Sequence, residues 1–274
     1  LWPAFALAIF VTGAVSDWRH AFLIGLFPVA FAIWIRLRCP ESRQWEAMRE
    51  LRLSGSTEGR PSGGTLAREA AQPFKDIFSR NVVRITVVGT LVVFGAQYSY
   101  YVYSSWMPVY LTQTLGFSPE DSRSILYAGA AISFVTYIAA GALGDVCGRR
   151  NALLSFAAVQ LVAFGFFAFL NAVDAGRGLI VLSYLAISFG LGYFGIFGVW
   201  FGELFSTPMR ATGSAFCYSV GRGLASFGPT VVGVLAASYG LGGGISTGLA
   251  AVLLMMVLAT LLKERRGRVI TATD

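Results

Sequence analysis

Arg222 is the one ionisable side chain set deep inside an uncharged stretch. It lies eleven residues past Ala211, where its apolar run begins. At 1.5 Å per helical residue that is roughly 16 Å, close to the middle of a ~30 Å hydrocarbon layer. Placing an arginine there costs on the order of 2.5–3.5 kcal/mol on insertion scales, and such residues face a cavity or an anion. No Asp or Glu falls deep in any apolar run of the chain. A planar guanidinium matches a carboxylate in fork geometry, so an anionic solute is one partner that fits. The other reading is a structural arginine, satisfied by backbone carbonyls or by an acid outside this sequence. A second polar set, Gln97, Tyr101, Ser104 and Pro108, recurs at i, i+4, i+7 and i+11 and therefore shares one helical face. Polar groups facing lipid are costly, so this face should look into protein or water. An aromatic belt at the outer surface is the competing account, and it suits Tyr103, Trp106 and Tyr110 better than Gln97.

Fixed charges of both signs gather elsewhere in compact corners. Gly141-Ala-Leu-Gly-Asp-Val-Cys-Gly-Arg-Arg150 joins two uncharged runs, about residues 124–144 and 151–173. Each run is long enough to cross a bilayer, so the link must turn two helices within a few residues. Asp145 stands at a helix C-terminus, where the dipole disfavours an anion, and Arg149 and Arg150 lie within reach to offset it. A positive-inside signal alone would account for the arginines but not for the aspartate or the glycine spacing. Glu203 and Arg210 fall at the same depth between two later runs and complete a candidate ionic latch.

The elements that must hold these groups are apolar helices. The composition is 55% hydrophobic and only 13% charged, against roughly 25% charged in soluble domains. Leu1 to Val15 reads as the end of a helix that begins upstream, and Ala21–Ile35 as the next span, with Pro28 as a kink and Trp34 at its border. Leu53 to Thr65 is Ser-, Gly- and Pro-rich and reads as a linker. Further spans follow from Ile85, then at 124–144, 151–173, 179–202, 211–239 and 241–262. The stretches 116–121 and 171–177 are read as outer loops, and Gly198 and Gly202 as a small-residue packing face. Alternation through these spans places seventeen of twenty-one basic residues on one side, with Arg19, Arg123 and Arg177 opposite and Arg222 between. That bias marks the cytoplasmic side.

Other chemistries find little footing. The single histidine, His20, has no metal-binding or nucleophilic neighbours, and the three cysteines are placed for neither a disulfide nor a metal. No cofactor, metal or nucleic-acid partner is expected, and the chain is not read as an enzyme. The net charge of +7 lies in clusters beside apolar spans, as cytoplasmic anchoring requires.

Gly141-x-Leu143-x-Asp145-x-x-Gly148-Arg149-Arg150 resembles the G-x-L-x-D-x-x-G-R-[R/K] loop of the major facilitator superfamily, here the copy between helices 8 and 9. Pro40-Glu-Ser-Arg-Gln-Trp45 resembles that family's P-E-S-P-R-W sequence after helix 6, departing at Arg43 and Gln44. Glu203-Leu-Phe-Ser-Thr-Pro-Met-Arg210-Ala-Thr-Gly213 resembles the E-L-F-P-T-x-x-R loop between helices 10 and 11, with Ser206 in place of proline. The resemblance implies an all-α polytopic membrane helix bundle of which this chain carries about seven of twelve helices. Residues 1–38 would close the N-terminal bundle, 39–80 form a cytoplasmic connection, 81–264 supply six helices and 265–274 a tail. It further implies a secondary transporter of the metabolite and organic-acid branch in a bacterial inner membrane. Its partners would be a small-molecule substrate, a coupled proton, the lipid bilayer and the N-terminal helices of the same protein. Arg222, Gln97, Tyr101 and Ser104 would contact substrate, and Asp145, Arg149, Arg150, Glu203 and Arg210 would form the cytoplasmic gate. A sugar facilitator, or a receptor or scaffold of the same fold, is the alternative.

Overall fold

A computed structural model describes residues 26–38, 72–262 and 264. The expected helix end at 1–15, the Pro40–Trp45 motif, the 53–65 linker, Cys39 and the 265–274 tail lie outside these residues. The chain divides into two units, 1–72 and 73–274. In the first, Leu26–Arg38 forms α1, apolar until its last turn, where Arg36 and Arg38 sit. Trp34 stacks on Phe31 within this helix at 5.7 Å.

The second unit is a bundle of long helices, with no strand among the described residues. Val83–Val109 (α2) runs on through a π-helical turn, Tyr110–Thr114. Pro108 removes a backbone donor just before that turn, the usual cause of such a widening. Pro119–Cys147 (α3) is capped by Ser118, whose hydroxyl accepts from the Asp121 amide at 3.0 Å. This cap corrects the expected outer loop at 116–121, because Pro119, Glu120 and Asp121 already form the first helical turn, where acids suit the dipole. Arg149–Ala172 (α4) follows after the single residue Gly148. The next crossing is broken into Arg177–Gly190 (α5), a 3-10 turn at Leu191–Tyr193 and Phe194–Leu204 (α6). The last helices are Arg210–Ala225 (α7), Gly228–Ile245 (α8) and Gly248–Thr260 (α9).

Among the described residues five helical stretches are long and apolar enough to cross a membrane, the fifth being Arg210–Ile245. That fifth stretch is not one straight rod. Gly240 has φ +70°, outside the helical region, and Gly244 packs against Val232. Twelve residues of continuous helix would hold those two about 18 Å apart. The chain therefore doubles back at Gly240, where a residue with a Cβ would be strained. The reversal falls between the spans expected at 211–239 and 241–262, and the return arm continues into α9.

Contacts between helices fix their directions. Cys217 and Gly221 of α7 meet Thr86 and Thr90 of α2, and Pro229 of α8 meets Trp106, so α2 and α7 run parallel. Phe164 of α4 packs on Gly248, Asn171 on Gly242 and Gly148 on Glu264, so α4 runs opposite to the final arm. The starts of α2, α4 and α7 and Glu264 thus share one side, the side where Arg84, Arg149, Arg150 and Arg210 stand.

The tight helix crossings use different glycines from those expected. A Cβ on Gly190 would strike Gln160 of α4, one on Gly192 would strike Phe156 of α4 and the Thr136 carbonyl of α3, and one on Gly195 would strike the Tyr137 carbonyl of α3. A Cβ on Gly198 would meet nothing within 4 Å, and one on Gly202 only the Arg210 side chain at 3.8 Å. The Gly198–Gly202 face is therefore not a helix–helix seam in this unit. Around the 3-10 turn buried hydroxyls pair with one another and with an amide oxygen, while Gln160 Nε2 donates to no group among the described residues. Tyr193 donates to Gln160 Oε1 at 3.0 Å and lies 3.2 Å from Ser99 Oγ, while Tyr103 meets Ser188 at 2.8 Å.

Candidate substrate site and cytoplasmic gate

Parallel packing of α2 and α7 sets their polar faces in register. Gln97 Nε2 donates to the Tyr218 hydroxyl at 3.0 Å, and Arg222 Nε donates to the Tyr101 hydroxyl at 2.9 Å. Gln97 and Tyr101 are one turn apart, as are Tyr218 and Arg222, so the two bonds form successive rungs between the helices. The face built by Gln97, Tyr101 and Ser104 therefore looks at protein and not at lipid. Ser104 stands one turn beyond Tyr100 on α2, within hydrogen-bonding reach of its hydroxyl.

The belt account of this stretch is corrected. Tyr103 and Tyr110 are both 1% exposed, and Trp106 donates its indole N–H to the Pro229 carbonyl at 2.9 Å. Tyr110 donates to Asn171 Oδ1 at the end of α4. These aromatic residues are interior struts holding α2 to its neighbours, a role their types do not distinguish from an interfacial one.

Depth separates the predicted residues. Gln97 is only 1% exposed, and its Oε1 accepts no hydrogen bond among the described residues. Tyr101, Ser104, Tyr218 and Arg222 are half-buried. Tyr101 is the only polar side chain that Arg222 engages among the described residues, through Nε, which leaves the paired Nη edge of the fork without a protein partner there. From Tyr101 an aromatic row continues: Tyr100 lies 5.5 Å from Tyr101 and 6.0 Å from Phe194, which is 6.1 Å from Tyr137. Tyr218 and Phe194 were not singled out from the sequence. Tyr218 had a usable signal, since it precedes Arg222 by one turn.

At the ends of α3 and α6 and the start of α4 the second constellation assembles around one arginine. Arg149 Nη2 lies 2.6 Å from Asp145 Oδ1, and its Nε lies 3.5 Å from Glu203 Oε1. The arginine is well covered, Asp145 is mostly exposed and Glu203 lies between, so the Glu203 contact is the less screened of the two. Arg150 forms no ion pair among the described residues. Neighbouring helical residues point about 100° apart, so only one of two adjacent arginines can face Glu203. Arg210 heads α7 and lays its aliphatic stem beside Gly202.

Gly148 explains how the turn can be so tight. Its φ is +96°, and a Cβ there would collide with the carboxylate of Glu264. The close approach sets that carboxylate at the N-terminus of α4, where Gly148 offers no side-chain cap and the dipole favours an anion. Glu264 is thus a further acid at this corner, hidden in the sequence because it sits within the basic run from Lys263 to Arg268.

The sequence matches the family description Major Facilitator Superfamily over residues 3–229. It is 27% identical to the cis,cis-muconate transport protein of Acinetobacter baylyi, aligned over 91% of this chain and 58% of that one. It is 26% identical to a putative niacin/nicotinamide transporter of Bacillus subtilis over 87% of this chain and 55% of the relative. With the alpha-ketoglutarate permease of Escherichia coli it shares 25% identity over 92% of this chain and 54% of the relative. The chain spans about half the length of the curated relatives it matches. A family match across most of the residues, on helices apolar enough to span a membrane, makes this multi-pass chain a member of the Major Facilitator Superfamily.

Proposed function

We propose that the chain is the sixth helix and C-terminal bundle of a twelve-helix secondary transporter that moves a small organic anion by alternating access, one bundle rocking against the other around a midplane site. The observation that carries this reading is the half-buried Arg222 guanidinium, held through Nε by Tyr101, whose ring lies 5.5 Å from Tyr100. The Nη edge of that guanidinium fits a carboxylate in two parallel hydrogen bonds. Muconate, niacin and alpha-ketoglutarate, named for three relatives, are carboxylates or carboxylic acids, while nicotinamide, also named for the second, is the neutral amide of niacin. Tyr100, Phe194 and Tyr137 suit the flat, unsaturated body of the first two.

Within this site Arg222 binds the carboxylate and Tyr101 orients the guanidinium. Ser104 offers a hydroxyl beside Tyr100. Gln97, being buried, acts one layer back by holding Tyr218. Asp145, Arg149 and Glu203 close the cytoplasmic end in one state and part in the other, with Arg210 flanking them. Among the described residues every Asp and Glu stands near the ends of the spans. A coupled proton would then bind in the helices upstream of this bundle.

The test is uptake of labelled cis,cis-muconate, nicotinate and alpha-ketoglutarate by the whole protein in proteoliposomes, with glucose as the neutral control. Arg222→Lys keeps the charge but loses the fork, and should reduce anion uptake about tenfold while the protein stays folded in detergent. Unchanged anion uptake would remove Arg222 from the site. Preferred glucose flux would favour a sugar facilitator, and no flux of any solute would favour a receptor or scaffold.

A further inference from the structure

A part of the molecule untouched by the transport reading is the segment leading into α2. Residues 72–76 are helical and the chain then turns through Ile77–Val82. Ile77 is fully buried, its carbonyl accepting from the Thr86 hydroxyl at 2.7 Å, and the Val83 amide donates to the Ser79 carbonyl at 2.8 Å. The segment is therefore fastened to the first turns of α2 and has a defined face. On that face Phe74 and Phe78 are 52% and 44% exposed. They pack edge-on with each other and with Phe216 of α7, at centroid separations of 5.5, 5.9 and 5.1 Å. Lys75, Arg80 and Arg84 are exposed around them, while Asp76 is half-buried.

We propose that Pro73–Arg84 is an interfacial anchor that binds anionic phospholipid headgroups at the cytoplasmic surface, phenyl rings in the acyl boundary and cations at the phosphates. The site lies on the basic side of the bundle, at the level where the apolar helix begins. Above Arg84 on α2, Val87 and Leu91 continue an exposed apolar stripe one and two turns further, as a lipid-facing helix would. Arg84 at the foot of that stripe can lay its stem along it and hold its head at the surface. A protein partner fits less well. The cores of protein interfaces are depleted of charge, and of lysine in particular, whereas exposed aromatics ringed by Lys and Arg mark a membrane-surface segment.

The experiment places an environment-sensitive fluorophore on Ser79→Cys in the whole protein, with Cys39→Ser and Cys147→Ser, reconstituted in phosphatidylcholine vesicles with or without phosphatidylglycerol. The expected result is blue-shifted emission, quenched by quenchers on the shallow acyl chain and not by aqueous iodide, and stronger with phosphatidylglycerol. Lys75→Gln, Arg80→Gln and Arg84→Gln, which leave the aromatic cluster intact, should each lower phosphatidylglycerol retention over phosphatidylcholine roughly five-fold at low salt. Three outcomes overturn the proposal. Iodide quenching with unshifted emission means a solvated surface. A blue shift without lipid quenching means that protein covers the patch, whether the rest of the chain or a second copy. Equal behaviour in both vesicle types means that headgroup charge is not read.

Discussion

Arg222 and Arg149 are the same residue type in opposite electrostatic settings. Arg149 stands at the end of a helix with Asp145 at 2.6 Å and Glu203 at 3.5 Å. Arg222 stands in the second half of a 16-residue helix with a single neutral partner among the described residues, the Tyr101 hydroxyl. The corner around Arg149 is thus compensated within the fold by two carboxylates. The midspan charge is compensated only in part, and a hydroxyl orients it without neutralising it. The difference teaches which charge is matched within the fold and which meets only a neutral hydroxyl among the described residues.

The comparison can be broken from either side. The largest effect is expected at the uncompensated charge. Arg222→Gln should lower kcat/KM for the anionic substrate on the order of 100-fold, the scale of a charged bidentate contact. Thermal unfolding in detergent should shift by no more than a few degrees, because no fold-internal ion pair is lost. A large fall in stability with unchanged uptake would reverse the roles assigned to the two arginines. Gly148→Ala should come next, destabilising the corner by about 1–3 kcal/mol through its positive φ and the clash with Glu264. Denaturation and transport should then fall together. Glu203→Gln removes the better-shielded partner of Arg149 and should shift the protein toward the cytoplasm-open state about five-fold. Cysteine-labelling accessibility on the cytoplasmic side reads this directly, and unaltered labelling would show that the pair holds no state. Tyr101→Phe should raise KM roughly five-fold with little change in kcat, since it loosens the orientation of Arg222 without removing the charge. Arg150→Gln should change neither labelling nor uptake by as much as twofold.

Much of this fold was legible from hydropathy. The spans, the sharp turn at Gly148, the reversal at Gly240 and the sharing of one side by the basic corners all follow from runs of apolar residues punctuated by charge and glycine. The loop limits were less legible. Ser118 is an N-cap whose helix begins with Pro119 and two acids, so a stretch of polar residues proved to be a helical turn. Within the site, the depth of Arg222 and the shared face of Gln97, Tyr101 and Ser104 could be read by counting along a helix. That Gln97 is sealed beneath Tyr218, and that Tyr103 and Tyr110 are interior struts, could not.

By itself the sequence determined which stretches are apolar helices and which residues fall at their ends or middles, because hydrophobic length acts on each segment almost independently of its neighbours. Tertiary structure decided which groups meet: Arg149 and not Arg150 with Glu203, Glu264 with Gly148, and Gly190, Gly192 and Gly195 as the seams where helices touch. Those pairings depend on how each helix is rotated about its axis and slid along its partner. Rotation and register are set jointly by all the side chains between two helices, so no single stretch of the chain contains them.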